Sequence, residues 1–261
     1  MKARKILGFG AVFGAVFAAG IVFLKPAKSP QILLSNATAA PLETDPNQLA
    51  VFLKIDNAGQ PDTLLSASSP EAQTATLSER YGPLAVPADS TASLAADGVF
   101  LKLDNLSGPL DDGRTLPISL TFAHAGTLTT RARIVAPQTK GDAANYGLFG
   151  IGDVCQVGDG EPAPNISLEA TKFEAGWKVL VTSEDFEFTP NLVDGPHVPG
   201  TGHGHIYLNG LKLGRLYSAE TTVGHLPPGQ HEIRVTLSTN DHRAYVVGDA
   251  PVTASIRIHS D

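Results

Sequence analysis

The segment VFLKLDNLSGPLDDGRTLPISLTFAHAGTLTTRARIV, residues 99–135, decides the fold. Three short alternating runs, VFLKLDNL, TLPISLTFAHAG and TLTTRARIV, are separated by turn residues such as Asp111-Asp112-Gly113. Alternation with period two places successive side chains on opposite faces of a strand, and short strands at this spacing belong to a β-sandwich. Upstream, LAVFLKIDN, DTLLSASS, ATLSERYG and STASLAADG repeat the pattern, with a turn at Asn57-Ala58-Gly59. Residues 47–136 therefore read as one sandwich.

Downstream, APQTKGDAANYGLFGIGDVCQVGDGEPAPN is rich in glycine and proline and lacks alternation, so residues 137–163 read as a boundary between two domains. Strands resume in ISLEATKFEAGWKVLVTSEDFEF, HIYLNG, LKLGRLY, HEIRVTLS and VTASIRIHS. Asn209-Gly210 signals a tight hairpin, and LPPGQHEIRV resembles a strand corner of immunoglobulin-like domains. Residues 164–261 are thus expected to form a second, immunoglobulin-like sandwich. Long helical periodicity is missing after the first thirty residues, so the fold class is all-β: two β-sandwiches, the second immunoglobulin-like, behind an N-terminal hydrophobic helix.

That helix is read from residues 1–28. A basic flank, MKARK, precedes the uninterrupted apolar run Ile6–Leu24. Such a run approaches the roughly 20 residues that span a bilayer, and the nearest Ala-x-Ala site, Ala37–Ala39, lies well beyond its end. An uncleaved anchor is favoured over a cleaved signal peptide, with Lys2, Arg4 and Lys5 on the cytoplasmic side. Residues 29–46, SPQILLSNATAAPLETDP, read as a flexible tether. The remainder is expected outside the cytoplasm, in the periplasm, anchored to the inner membrane by residues 6–24.

With 19 basic against 26 acidic side chains the chain offers no basic stripe for phosphate backbones, which excludes nucleic acid as a partner. The lone Cys155 cannot form an intramolecular disulfide and is not placed for lipid attachment.

The stretches ASSPEA, LSGPLDDGRTLPISLTF and AGTLTTRARI stand in an order and spacing that resemble periplasmic copper chaperones of the PCuAC type, over roughly Leu49 to Ile134. The resemblance implies a cupredoxin-like sandwich. That family holds Cu(I) with two histidines and two methionines. Its ligand positions fall here on Ser78, Phe100 and Lys102, and the only methionine in the chain is Met1, so the thioether site is not retained. His124 stands alone and reads as structural or solvent-facing.

Six of the eight histidines, His197, His203, His205, His225, His231 and His242, fall within residues 197–242. On a strand, His203, His205 and Tyr207 share one side, while Ile206 and Leu208 share the other and should face the core. His203 and His205 are then expected side by side on an exposed face, as two ligands for one ion. The loop TNDHRAYVVGDAP should bring Asp241 and His242 towards them, and His197 can fold over from DGPHVPG. His225 and His231 flank LPPGQ, which a strand rising roughly 3.3 Å per residue puts more than about 20 Å from His242.

This half also resembles a family of exported bacterial domains with the pattern Gly-x-Gly-His-x-His-x-Tyr-x-Asn-Gly, Arg-x-Tyr, His-Leu-x-x-x-x-Gly and Asn-Asp-His, which GTGHGHIYLNG, RLY, HLPPGQ and NDH match except that the glycine of HLPPGQ comes one residue early. That resemblance groups His203, His205, His225 and His242 as a signature. His225 is the point where motif and strand geometry disagree. A structural alternative is that these histidines cap turns and bond carbonyls, with NDH a side-chain-stabilised turn.

The expected function is copper handling by an exported, chaperone-like protein that is not an enzyme. Its metal site, His203, His205, His242, His197 and His225, lies in the second domain; copper is the expected ion, Cu(II) favoured over Cu(I), with zinc possible. The expected partners are a metal ion, a copper enzyme or other envelope protein, and the membrane. The alternatives are a metal-free periplasmic binding or assembly module and, behind it, a superoxide dismutase-like metalloenzyme, since that enzyme also places a His-x-His pair on a sandwich strand.

Overall fold

The computed structural model describes residues 31–42, 45–78, 82–135, 153–158 and 160–261. The apolar run Ile6–Leu24 and most of the boundary 137–163 lie outside these residues. Among the described residues no helix is long and apolar enough to cross a membrane. Among the described residues the regular elements are strands, apart from a 3-10 turn at Pro190–Leu192.

The first half contains β1 (Ile32–Leu42), β2 (Asp45–Asn57), β3 (Asp62–Ser68), β4 (Ala72–Leu77), β5 (Leu84–Val86), β6 (Ser90–Leu94), β7 (Leu101–Leu106), β8 (Thr115–Phe122) and β9 (Gly126–Ile134). β2 is its spine. Leu49–Val51 pair with β7, Leu53–Asn57 pair with β6, and β1 runs antiparallel along the other edge. β1 also lies parallel to β9, and the ladder continues through β8 to β3. In β8 the pattern is strict: Leu116, Ile118, Leu120 and Phe122 are buried and the residues between them are not. They pack with Leu53, Ile55, Leu101 and Leu103 in one core.

β1 corrects the sequence reading of residues 29–46 as a tether. Ile32–Leu42 is a paired strand with Ala39 fully buried. The register shifts between Ser35 and Thr38, and Asn36 sits in the left-handed region at φ 51°. A bulge of this kind breaks the period of two on which recognition of a strand depends.

The second half comprises β10 (Val154–Gln156), β11 (Asn165–Phe173), β12 (Gly176–Glu184), β13 (Glu187–Phe188), β14 (Thr201–Leu208), β15 (Leu211–Leu216), β16 (Glu220–Val223), β17 (Gly229–Ser238), β18 (Ala244–Val247), β19 (Ala250–Pro251) and β20 (Thr253–Ser260). β14 lies between β15 and β17, and β17 pairs in turn with β20. A separate sheet, β11-β12-β16, faces it. Trp177, Val179 and Val181 from the small sheet meet Ile206, Leu208, Ile233, Val235 and Leu237 from the large one, so the apolar side of β14 is the side that alternation assigns to the core.

The two halves interlock. Leu211 of the second half is fully buried in the first core, and Ala85 of the first belongs to the second. β15 meets β6 through Lys212 and Ser93. Two glycines permit the approach: a Cβ at Gly98 would stand 2.5 Å from the Gly210 carbonyl oxygen, and one at Gly224 would stand 2.1 Å from that of Ala88. Backbone hydrogen bonds from Val99 to Gly210 and from Ala88 to His225 run beside these contacts.

Candidate functional site

His203 and His205 project from β14 on the side away from the second core. Tyr207 follows them, and on the neighbouring strand Thr236 and Arg234 stand opposite His205 and Tyr207. The Arg234 guanidinium lies 4.4 Å from the centre of the Tyr207 ring. Sequence alternation therefore assigns the faces correctly. The expected exposure is wrong: His203 is 0% and His205 6% exposed, because Asp97 of the first half covers His205 while His242 and Tyr217 pack against His203. Gly202 lets β14 start this close to β17, since a Cβ there would meet the Ser238 carbonyl oxygen at 2.0 Å.

The cover is the turn between β6 and β7, which carries Asp97. One carboxylate oxygen of Asp97, buried, accepts from His205 Nδ1 at 3.0 Å, from the Tyr207 hydroxyl at 2.9 Å and from Lys212 Nζ at 2.5 Å. Burial alone would raise the carboxyl pKa, but the His205 hydrogen bond and the Lys212 charge outweigh it and hold the group below the usual carboxylate range. With Asp97 ionised, His205 keeps its proton on Nδ1 and presents a lone pair at Nε2.

That lone pair faces His203, with the two Nε2 atoms 3.3 Å apart. Without metal, His203 donates its Nε2 proton to His205. Its own Nδ1 is then buried with no hydrogen-bond partner among the described residues. Burial, followed by the neighbouring His205 and His242, pushes the His203 pKa down to about 3. Burial likewise lowers that of His205, against the opposing hydrogen bond to Asp97. Both imidazoles are neutral at physiological pH, the form that binds metals.

His242 packs edge-on against His203 with ring centroids 5.0 Å apart, in a turn where it adopts φ 69°. Its Nε2 bonds Asp194 at 2.5 Å. The NDH turn is also held by its own side chains: Asp241 accepts from Thr239 and Arg243, and Asn240 bridges Thr189 and Thr201. The structure thus brings His203, His205 and His242 together. It does not bring the others. His197 turns to Cys155, 3.6 Å from Sγ, and to the Tyr245 ring. His225 is exposed beside Ala88, and His231 bonds Pro227 and Asn209 at the far end of β17. Among the described residues no group of three or more His, Cys, Asp or Glu forms a ready-made metal cage.

Asp97, Lys212 and Asp194 escape sequence reasoning. Asp97-Gly98 reads as an ordinary turn, and nothing local tells that it meets β14 more than a hundred residues later. A cleft of about 380 Å³ opens beside the site, walled by Lys54, Ser93 and Asp97 from the first half and by His205, Lys212, Arg215 and His242 from the second.

Residues 32–134 match the LpqE-like lipoprotein family. Among solved structures the chain is similar to the copper-bound PCuAC domain from PmoF2, with 23% identity over 42% of this chain and 96% of that one and a TM-score of 0.37. It is also similar to the apo PCuAC domain from PmoF1, with 21% identity over 42% of this chain and 97% of that one and a TM-score of 0.38. A third is apo-DR1885 from Deinococcus radiodurans, with 22% identity over 52% of this chain and 97% of that one and a TM-score of 0.34. No curated protein matches the chain. The family match covers the segment in which the PCuAC-like motifs lie.

The positions that carry the family's copper ligands do adjoin one another. Ser78 and Phe100 are joined by backbone hydrogen bonding, Ser78 Oγ accepts from the Phe100 amide, and the Phe100 ring packs 5.8 Å from Phe52. Hydroxyl, phenyl and ammonium groups supply no soft donor, so copper does not fit there.

Proposed function

We propose that this chain is an exported copper-handling binding protein whose ion is held in the second half by His203 and His205. The observation that carries the reading is the pair of facing Nε2 atoms, with His205 fixed from behind by Asp97. Two nitrogens bound to one tetrahedral ion at about 2.0–2.1 Å lie roughly 3.3 Å apart, against roughly 2.9 Å for neighbours in a square plane. The separation of 3.3 Å suits the tetrahedral edge. A carboxylate behind a ligating imidazole is the usual second shell of such sites.

In this reading the ion displaces the proton shared between the two imidazoles, and His242 supplies a third nitrogen by leaving Asp194. The first half contributes Asp97 and the covering wall, and no ligand. His197 and His225 take no part. The tetrahedral edge favours Cu(I) or zinc geometry over the square-planar preference of Cu(II), which shifts the sequence-based expectation. The apolar run Ile6–Leu24 supports export and attachment to the inner membrane.

A second reading has a specific observation behind it. Asp97, Lys212, His205 and Tyr207 already satisfy one another, as a polar pin between two halves would. The chain is then a metal-free assembly module. Titration of the full chain with Cu(I), Cu(II) and Zn(II) separates the two. The metal reading expects one equivalent of at least one ion to bind, with loss of binding when His203→Ala and His205→Ala are combined. Absence of stoichiometric uptake supports the pin, and unchanged uptake in the double variant removes the site.

A further inference from the structure

The cleft between the halves has a charge pattern that the metal reading leaves unused. Its volume of about 380 Å³ lies within the range of about 300–1,000 Å³ common for small-molecule sites. Lys54 of β2 and Lys212 of β15 flank Ser93 of β6 in one cross-strand row, and Arg215 follows Lys212 along β15. Asp97 is the single acid in the lining, and its charge is spent on Lys212 and His205. Lys54 and Arg215 are exposed and have no ion-pair partner among the described residues.

The lining mixes apolar residues, Phe52, Leu53 and Leu94, with neutral polar ones. The latter are Asn36, Thr38 and Ser93, along with the edge of His205. An anion here replaces water on two cations and accepts hydrogen bonds from neutral donors. Arg215 presents a planar fork that matches a carboxylate bidentately, and Lys54 acts as a point charge.

We propose that this cleft binds a small dicarboxylate, one carboxylate on Arg215 of the second half and the other on Lys54 of the first, so that the ligand bridges the two halves. Separation of the two cations by the intervening strand β6 is what selects two anionic groups on one molecule over a single small anion. The interlocked cores fix the spacing of the strands that carry the two cations, so a ligand of matching length is preferred. Its inner carboxylate lies beside His205, where it can donate oxygen to an ion on the His203 and His205 pair. The binding itself does not depend on that ion.

Isothermal titration of the metal-free full chain with succinate tests this, with acetate and inorganic phosphate as comparison anions. Because no metal is present, failure of the metal reading and failure of this one are distinguishable. The expected result is saturable succinate binding at one equivalent, at least tenfold tighter than acetate or phosphate, weakened at least tenfold by Lys54→Ala and by Arg215→Ala. Both side chains are exposed, so both variants should keep the parent's unfolding temperature. Lys54→Arg, which keeps the charge, should retain most of the affinity. Three results overturn the proposal: no saturable binding, equal affinity for acetate or phosphate, or unchanged affinity in both alanine variants.

Discussion

Asp97 is the residue on which the site turns. Its carboxylate, 3.0 Å away, accepts from His205 Nδ1 and so sets the His205 tautomer, and it reaches His205 from the other half of the chain. Asp97→Asn removes the charge while keeping the shape, leaving the Lys212 ammonium without its counter-ion. Breaking a buried pair from one side costs about 3–5 kcal/mol in a fully buried setting, and less here because Lys212 is partly exposed. If His205 is a ligand, the same change should weaken metal binding by about 10–100-fold, the usual effect of losing a second-shell carboxylate. Competition titration of the variant against the parent checks this, and an affinity unchanged despite lowered stability would make Asp97 purely a pin. Asp97 was illegible in the sequence for a physical reason. An Asp-Gly step encodes a turn locally, and only packing against a distant strand gives its side chain a task.

At the scale of elements, β14 and β17 could be read from alternation because each faces a hydrophobic core on one side only. Ile206, Leu208, Ile233, Val235 and Leu237 mark that side, and the histidines follow on the other. The same argument led to an exposed histidine face, since period two distinguishes two faces without saying what covers the polar one. β1 failed for a different reason: its bulge at Asn36 and its small residues Ala37, Thr38 and Ala39 hide the period. Its structural weight is testable. β1 joins β2 to β9, so deletion of residues 1–46 exposes the edges of both. We expect that deletion to lower the unfolding temperature by more than about 10 °C, given roughly 2–4 °C per kcal/mol for a chain of this size. Deletion of residues 1–28 leaves β1 intact and should change it little. Equal behaviour of the two truncations in a thermal melt would return residues 29–46 to the status of a tether.

Across the whole molecule, the two halves share one continuous ladder at their junction, where β15 pairs with β6. Gly98 against Gly210 and Gly224 against Ala88 are backbone approaches that no larger residue would allow without displacement, and the first of them holds the Asp97 turn against β14. The metal-binding chemistry of a PCuAC-like half is thus absent from its own ligand positions, while that half supplies the wall and the carboxylate for a histidine pair in its neighbour. The histidine cluster itself was visible in the sequence. Its division was not, because His197 and His225 belong to loops whose direction depends on contacts with Cys155, Tyr245 and Ala88. X-ray absorption at the metal edge, on the full chain loaded with one equivalent of Zn(II) or Cu(I), tests the central claim most directly. The structure predicts at least two imidazole nitrogens at about 2.0–2.1 Å and no sulfur in the first shell. A sulfur shell near about 2.3 Å would place the ion on Cys155, and a spectrum without imidazole scattering would contradict the His203 and His205 site.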